Sequence, residues 1–383
     1  MRNLSRLCSD PFPPDSQAFK PVSTDILQLG LVSREWNVNR YPMKTGILPQ
    51  QAIEALISGR QVIAADMGAD GQPTQLQPAS LDLRLGHTAY RLRASFLPGE
   101  GRTVMDCLPD VHMHEIDLSA GAVLETGCVY LVPLQEALNL SPDLSAAANP
   151  KSSTGRLDVF TRVICDGANS FDAISAGYEG PLYVEIAPRT FSVLVRPGDR
   201  LVQMRFRSGE LKELNTQTVS IDLEGFDEDG VVGWRARRHA GLVDVSNVGG
   251  HAARDYWEPL YAEGGQLVLD PDEFYILASK EAVTIPQDQA AEMAPIAPEI
   301  GEFRAHYAGF FDPGFGVTAA GGEGSRAVLE VRGRDVPFLL RHGQPVAKLV
   351  FEAMSDIPAS LYGEKGSHYQ AQSLRLSKHF RTV

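Results

Sequence analysis

The chain's 383 residues allow two or three domains of usual size, and an apolar fraction of 43% supplies their cores. Its 35 lysines and arginines face 48 aspartates and glutamates, a net charge of −13, which argues against general adhesion to nucleic acid or membrane and confines any phosphate binding to a local pocket. Cys8, Cys107, Cys128 and Cys165 form no C-x-x-C pair, and no stretch approaches the roughly 18 apolar residues of a membrane span, so a soluble chain in a reducing cytoplasm is expected.

Residues 1–45 are rich in Pro, Ser, Asn and Asp without periodicity and read as an N-terminal extension. "PQQAIEALISG" then predicts a short amphipathic helix, with Pro49 at its entry, Ile53, Leu56 and Ile57 on one face and Gly59 as its stop. Beyond it the chain turns to period-two runs, "SLDLRLG", "CVYLVPL", "PLYVEIAP" and "SVLVRPGDRLVQMRF", punctuated by Gly and Pro. The fold is expected to be mainly β, a sandwich or barrel.

"VYLVPLQEALNLS" at Val129 is echoed by "FYILASKEAVTIP" at Phe274, 145 residues on. In the same register Glu185 meets Glu330, Arg196 meets Arg341 and Phe206 meets Phe351. The chain therefore reads as two related β modules, 46–210 and 236–360, with a linker at 211–235 and a tail at 361–383. Upstream the register slips, since Asp82 in "SLDLRLG" finds its partner in Asp244 of "GLVDVS".

"KSSTGR", residues 151–156, brackets hydroxyls with two cations, a composition suited to an anion site and equally to a solvated turn. The repeat bears on the choice: the corresponding "IAPEIG", 296–301, has no cation or hydroxyl. A cluster needed only for the turn would be expected in both copies, so its presence in one favours a site.

These segments together resemble the trimeric dUTPase and dCTP deaminase superfamily, and more closely the dCTP deaminases. "GILPQQAIEALISGRQVI" resembles the family's opening helix, "QPASLDLRLG" its first signature strand and "KSSTGR" its R-S-S-x-x-R phosphate motif with Lys at the first position. "GYEGPLYVEIAPRTFSVLVRPGDRLVQMRF" is similar to the segment around its catalytic glutamate, and "FFDPGFG", "AVLEVRG" and "HYQAQ" carry the likeness through the second module and tail.

The resemblance implies two tandem dUTPase-like distorted β-barrels with active sites between neighbouring barrels. It implies hydrolytic deamination of dCTP to dUTP and ammonia without zinc, feeding dUMP and dTTP synthesis. Mg2+ is expected as companion of the triphosphate, dTTP as an inhibitor, and a homo-oligomer as the assembly. The H-x-E and P-C-x-x-C signature of zinc deaminases is absent from the sequence.

By the same likeness Glu330 and Glu185 are the candidate catalytic residues: a carboxylate in a partly desolvated pocket can take a proton from water and return one to the leaving amine. A charge in so apolar a strand is otherwise on an exposed face. The superfamily draws its phosphate motif and base-binding hairpin from different barrels, which tilts the choice toward Glu330. Lys151, Ser152, Ser153 and Arg156 carry over as triphosphate ligands, and Asp312 in "FDPG" as the sugar-side aspartate or a plain turn residue, with Asp166-Gly167 its weaker counterpart. His368, standing where the family has Lys, Tyr369 and Gln372 form a tail that would close over the triphosphate, or else a disordered terminus. Asp82 and Asp244 read as structural residues ordering turns near the site, and His112 and His114 as surface residues lacking a third metal ligand. The competing functions are a dUTP pyrophosphatase, a bifunctional deaminase and pyrophosphatase, and a non-catalytic nucleotide sensor.

Overall fold

Alternating apolar side chains draw this chain into strands, and its glycines and prolines end them. The computed structural model describes residues 44–211, 213–225, 229–295, 304–306, 309–317, 324–333, 336–364, 369–370 and 372–382. Among these it is mainly β, with four short helices. The expected extension lies outside the described residues except for its last two. The Gln50–Ser58 helix forms as expected, with Pro49 and Gly59 as its caps and Ile53 and Leu56 buried.

In the first module, Val129–Asn139 runs between Thr88–Leu92 and Glu179–Pro188, and the latter also pairs with Val159–Cys165. Leu144–Pro150 pairs with Val202–Ser208, which carries Gly46–Ile47 and Leu81–Leu83 on its other edge. In the second, Phe274–Val283 lies between Gly233–Ala236 and Ser325–Arg332, while Gln289–Pro295 and Glu213–Ser220 flank Pro345–Ala353. All of these ladders are antiparallel.

The duplication is built into the hydrogen-bond register. Glu185 lies opposite Leu131 and Glu330 opposite Ile276; Met204 faces Ala148 and Leu349 faces Met293. Each pair repeats at 145 residues because a one-residue slip would turn every buried side chain to the other face. The 211–235 segment, expected as a linker, contains the Glu213–Ser220 strand, which pairs along Pro345–Ala353. Its side chains are mostly polar and exposed, so its sequence carries no clear alternation.

An aromatic cluster ties the chain's end to its body. Phe380 packs against Tyr256, Trp257 and Phe191 with ring centroids 5.2, 5.8 and 6.2 Å away. Such pairs add about 0.5–1.5 kcal/mol each beyond their area. Between the modules, apolar packing such as Phe191 against Trp257 at 5.3 Å is joined by buried polar contacts. Arg205, fully buried, donates to the carbonyls of Ala291 (3.0 Å) and Phe311 (2.9 Å) and pairs with Asp312, while Arg332 pairs with Asp158 and donates to Thr190 Oγ1 at 2.9 Å.

Candidate functional site

Where the two modules meet, a cavity of about 520 Å3 opens, lined by the 151–156 loop, Asp82, Asp312, Glu330 and the tail residues Tyr369, Gln372, Lys378 and His379. Its size is within the range of about 300–1,000 Å3 common to small-molecule sites.

The loop follows the Leu144–Pro150 strand. Lys151 caps a one-turn helix, Ser152–Gly155, and Thr154 turns inward to donate to the Leu201 carbonyl at 2.8 Å. That anchor leaves Lys151, Ser152, Ser153 and Arg156 to line the cavity. Lys151 pairs with Asp82, so this signature-strand aspartate belongs to the cavity wall, beyond the turn-ordering role read for it. Asp244 is bonded instead to Arg196, at 2.7 and 3.0 Å, and does not line the cavity.

Glu330 enters from the Ser325–Arg332 strand of the second module and is only 6% exposed. Burial pushes its carboxyl up to about 8, against the pull of the Arg156 guanidinium, whose Nε lies 3.8 Å from Oε1. Arg156 Nη1 also donates to Gln372 Oε1 at 3.0 Å and to the Arg375 carbonyl at 2.9 Å, and Tyr369 presents its ring 4.0 Å from the guanidinium carbon. One arginine thus joins the phosphate loop, the buried carboxyl and the tail.

Asp312 sits in a turn, where its carbonyl accepts from Phe315 N–H at 3.1 Å, and its carboxyl reaches the cavity beside Arg205 Nη2 at 3.2 Å. Burial raises its carboxyl above the usual range while Arg205 opposes the rise. The turn reading of "FDPG" is realised, and the same aspartate lines the cavity.

The tail is docked across this opening. Ser377 Oγ donates to the Ser153 carbonyl at 2.7 Å, Lys378 N–H donates to Tyr369 Oη at 3.0 Å, and His379 Nε2 donates to the Val245 carbonyl at 3.0 Å. Burial pushes His379 down to about 4, which keeps the ring neutral. His368 lies outside the described residues.

Glu185 does not line the cavity. It is 2% exposed, and Arg162, its cross-strand neighbour, donates to it from Nε at 3.1 Å while its guanidinium lies against the rings of Phe171 (3.7 Å) and Phe160 (4.8 Å). Asp166 is likewise elsewhere, accepting from Val104 N–H at 2.7 Å. The "IAPEIG" loop falls outside the described residues.

Among the carboxylates lining the cavity, Asp82, Asp199 and Asp312 are each held by a cation or a hydrogen-bond donor, as is Glu330 by Arg156. An ion entering here fits as a passenger on phosphate oxygens, the usual mode for Mg2+, rather than in a cage of protein ligands. A separate trio, Asp222, Glu224 and His342, brings its ligand atoms within 4.8 Å of one another. His342 Nδ1 accepts from Leu223 N–H at 3.1 Å and Asp222 lies 3.5 Å from Arg326, so two of the three already have partners within the protein. His112 packs edge-on against Tyr90 at 5.9 Å, and His114 is exposed.

Arg205 and Lys378 were not singled out from the sequence. For Arg205 a signal existed: its repeat counterpart is Val350, so it is another charge present in one copy only. Lys378 stands in a polar tail and carries no such mark.

A cationic loop and a protonatable buried carboxyl facing each other between two β modules define a site for a phosphorylated substrate whose chemistry turns on proton transfer. The 2′-deoxycytidine 5′-triphosphate deaminase N-terminal domain matches residues 44–210, and the C-terminal domain of the same enzyme matches residues 195–380. The chain belongs to the dCTP deaminase family. A dCTP deaminase of Haloarcula marismortui is 31% identical over 143 residues, 36% of this chain and 68% of that one. A dUMP-forming dCTP deaminase of Dictyoglomus turgidum is 26% identical over 166 residues, 42% of this chain and 79% of that one. The crystal structure of 2′-deoxycytidine 5′-triphosphate deaminase from Agrobacterium tumefaciens superposes with a TM-score of 0.77 at 56% identity, covering 81% of this chain and 99% of the other.

Proposed function

We infer that this chain hydrolyses dCTP to dUTP and ammonia, with Glu330 as the proton carrier. Water adds to C4 of the cytosine as Glu330 takes one of its protons and passes it to N3; Glu330 then carries the proton of the C4 hydroxyl to the exocyclic nitrogen, the C4–N bond breaks as C4=O forms, and ammonia leaves. Arg156 orients and tunes the carboxyl while Lys151, Ser152, Ser153 and Arg156 hold the triphosphate, and Asp312 meets the deoxyribose. Tyr369 and Gln372 hold Arg156 in place and shut water out of the occupied site.

A single observation carries the choice between glutamates: Glu330 shares one cavity with the 151–156 loop, and Glu185, tied to Arg162, does not. We extend the proposal to Mg2+ arriving on the triphosphate, to inhibition by dTTP, to self-association and to action in the cytoplasm. Among the described residues no helix is long and apolar enough to cross a membrane.

The test is to incubate the purified chain with dCTP or dUTP and Mg2+ and assay ammonia and pyrophosphate together. Ammonia from dCTP without pyrophosphate is the expected result. Pyrophosphate from dUTP would make the enzyme bifunctional or a pyrophosphatase, and binding with neither product would make it a sensor.

A further inference from the structure

Four lysines and arginines line the cavity: Lys151, Arg156, Arg200 and Lys378. Three have partners. Lys151 is paired with Asp82; Arg156 is bonded to Gln372 and faces Glu330; Arg200 reaches Asp66 at 3.1 Å and the Thr74 carbonyl at 2.8 Å. The half-buried Lys378 makes no side-chain hydrogen bond or ion pair among the described residues. Burial, with the like charges of Lys151 and Arg200, holds its ammonium below the usual lysine range, and the carboxylates of Asp82 and Asp199 offset this only in part.

The backbone cannot easily carry this side chain out to water. Lys378 N–H is bonded to Tyr369 Oη, Ser377 before it to the Ser153 carbonyl and His379 after it to the Val245 carbonyl. The flanking residues therefore clamp Lys378 beside the phosphate loop, with Asp82 and Asp199 near enough to oppose its desolvation but not bonded to it. A tethered, partly desolvated cation next to two others is completed by a polyanion.

We propose that Lys378 is a phosphate ligand of the nucleotide, presented by the docked tail so that the triphosphate is gripped from the loop on one side and from the tail on the other. The identity of the nucleotide rests on the deaminase reading; the demand for a polyanion rests on the arrangement of charges alone. Because the lysine approaches the phosphates and not the base, it discriminates by phosphate count and leaves the chemical step alone.

Binding is measured by calorimetry on the Glu330→Gln protein, which prevents turnover, with dCTP, dCDP and dCMP as probes. Adding Lys378→Met should weaken dCTP by about ten- to hundredfold, the value of a charge-assisted hydrogen bond. It should weaken dCMP by less than about threefold, and Lys378→Arg should restore most of the loss. In the otherwise unaltered enzyme the same change should raise KM for dCTP with kcat within about twofold. A measurement needing no substitution is acetylation of the native chain followed by mass spectrometry, in which dCTP or inorganic tripolyphosphate should protect Lys378. Equal losses for dCTP and dCMP, an unchanged dCTP affinity, or labelling of Lys378 indifferent to both anions would overturn the assignment. If the parent protein deaminates dCTP and Lys378→Met behaves identically, the lysine assignment fails alone; if the parent neither binds nor deaminates dCTP, the functional reading fails with it.

Discussion

Replacing Glu330 by glutamine keeps the side chain's size and removes its charge and its titrating proton. Burial lifts this carboxyl from 4.5 to about 8. Between those values the folded chain holds a proton that the unfolded chain has released, so stability falls as pH rises through the window. Each unit costs ~1.4 kcal/mol, and moving from pH 6 to pH 8 therefore costs the parent roughly 2–3 kcal/mol that the variant does not suffer. The melting temperature of Glu330→Gln should accordingly gain on the parent between pH 6 and pH 8 by on the order of a few degrees. Activity should move the other way. Without its proton carrier the enzyme should lose about 10²- to 10⁴-fold in kcat, while dCTP affinity changes by no more than about threefold. In the parent, kcat/KM should climb toward a plateau with an apparent pKa near 8, because the base must be ionised to accept the proton of water. Calorimetric melts at the two pH values, an ammonia assay across pH 5.5–9 (a range of about 3.5 units, wide enough to bracket the titration) and dCTP titrations complete the experiment. Full ammonia release by the variant would refute the mechanism, and a melting-temperature difference identical at both pH values would refute the raised carboxyl on which it stands.

Glu185→Gln should leave kcat and KM within about twofold while lowering stability by roughly 1–3 kcal/mol through loss of the pairing with Arg162; loss of ammonia release would return the catalytic role to Glu185. Arg156→Lys keeps the charge but cannot at once hold Gln372, the Arg375 carbonyl and the Tyr369 ring, so kcat/KM should drop about ten- to hundredfold, and unaltered kinetics would remove Arg156 from the site. Arg205→Met strands the buried Asp312 carboxyl and should cost about 3–5 kcal/mol by chemical denaturation. Adding Asp312→Asn should recover part of that stability without recovering dCTP affinity; recovery of both would leave Asp312 a turn residue only.

Much of the fold was legible because its signals are local or periodic. The opening helix is written in Pro49, its apolar face and Gly59, and the strands in their alternation. The duplication needed only self-comparison, and the same register appears in the ladders opposite Glu185 and Glu330. The Glu213–Ser220 strand escaped notice because its exposed polar side chains are held by ladder bonds to Pro345–Ala353, which any side chain permits.

The site divides the same way. The residue types were in the sequence: a loop with cations in one copy only, a glutamate at matched positions in both, an aspartate in a turn. Which of them meet was not, since two strands of equal pattern carry equal carboxylates and nothing along the chain says which faces the 151–156 loop. Tertiary structure decided it by bringing the Ser325–Arg332 strand against Arg156, spending Arg162 on Glu185, and folding the tail back so that Tyr369, Gln372 and Lys378 enter the cavity beside a loop more than 200 residues upstream. Local propensity sets strands and turns; the partner of a buried charge is set by whichever distant segment packing delivers to it, a property of the whole fold.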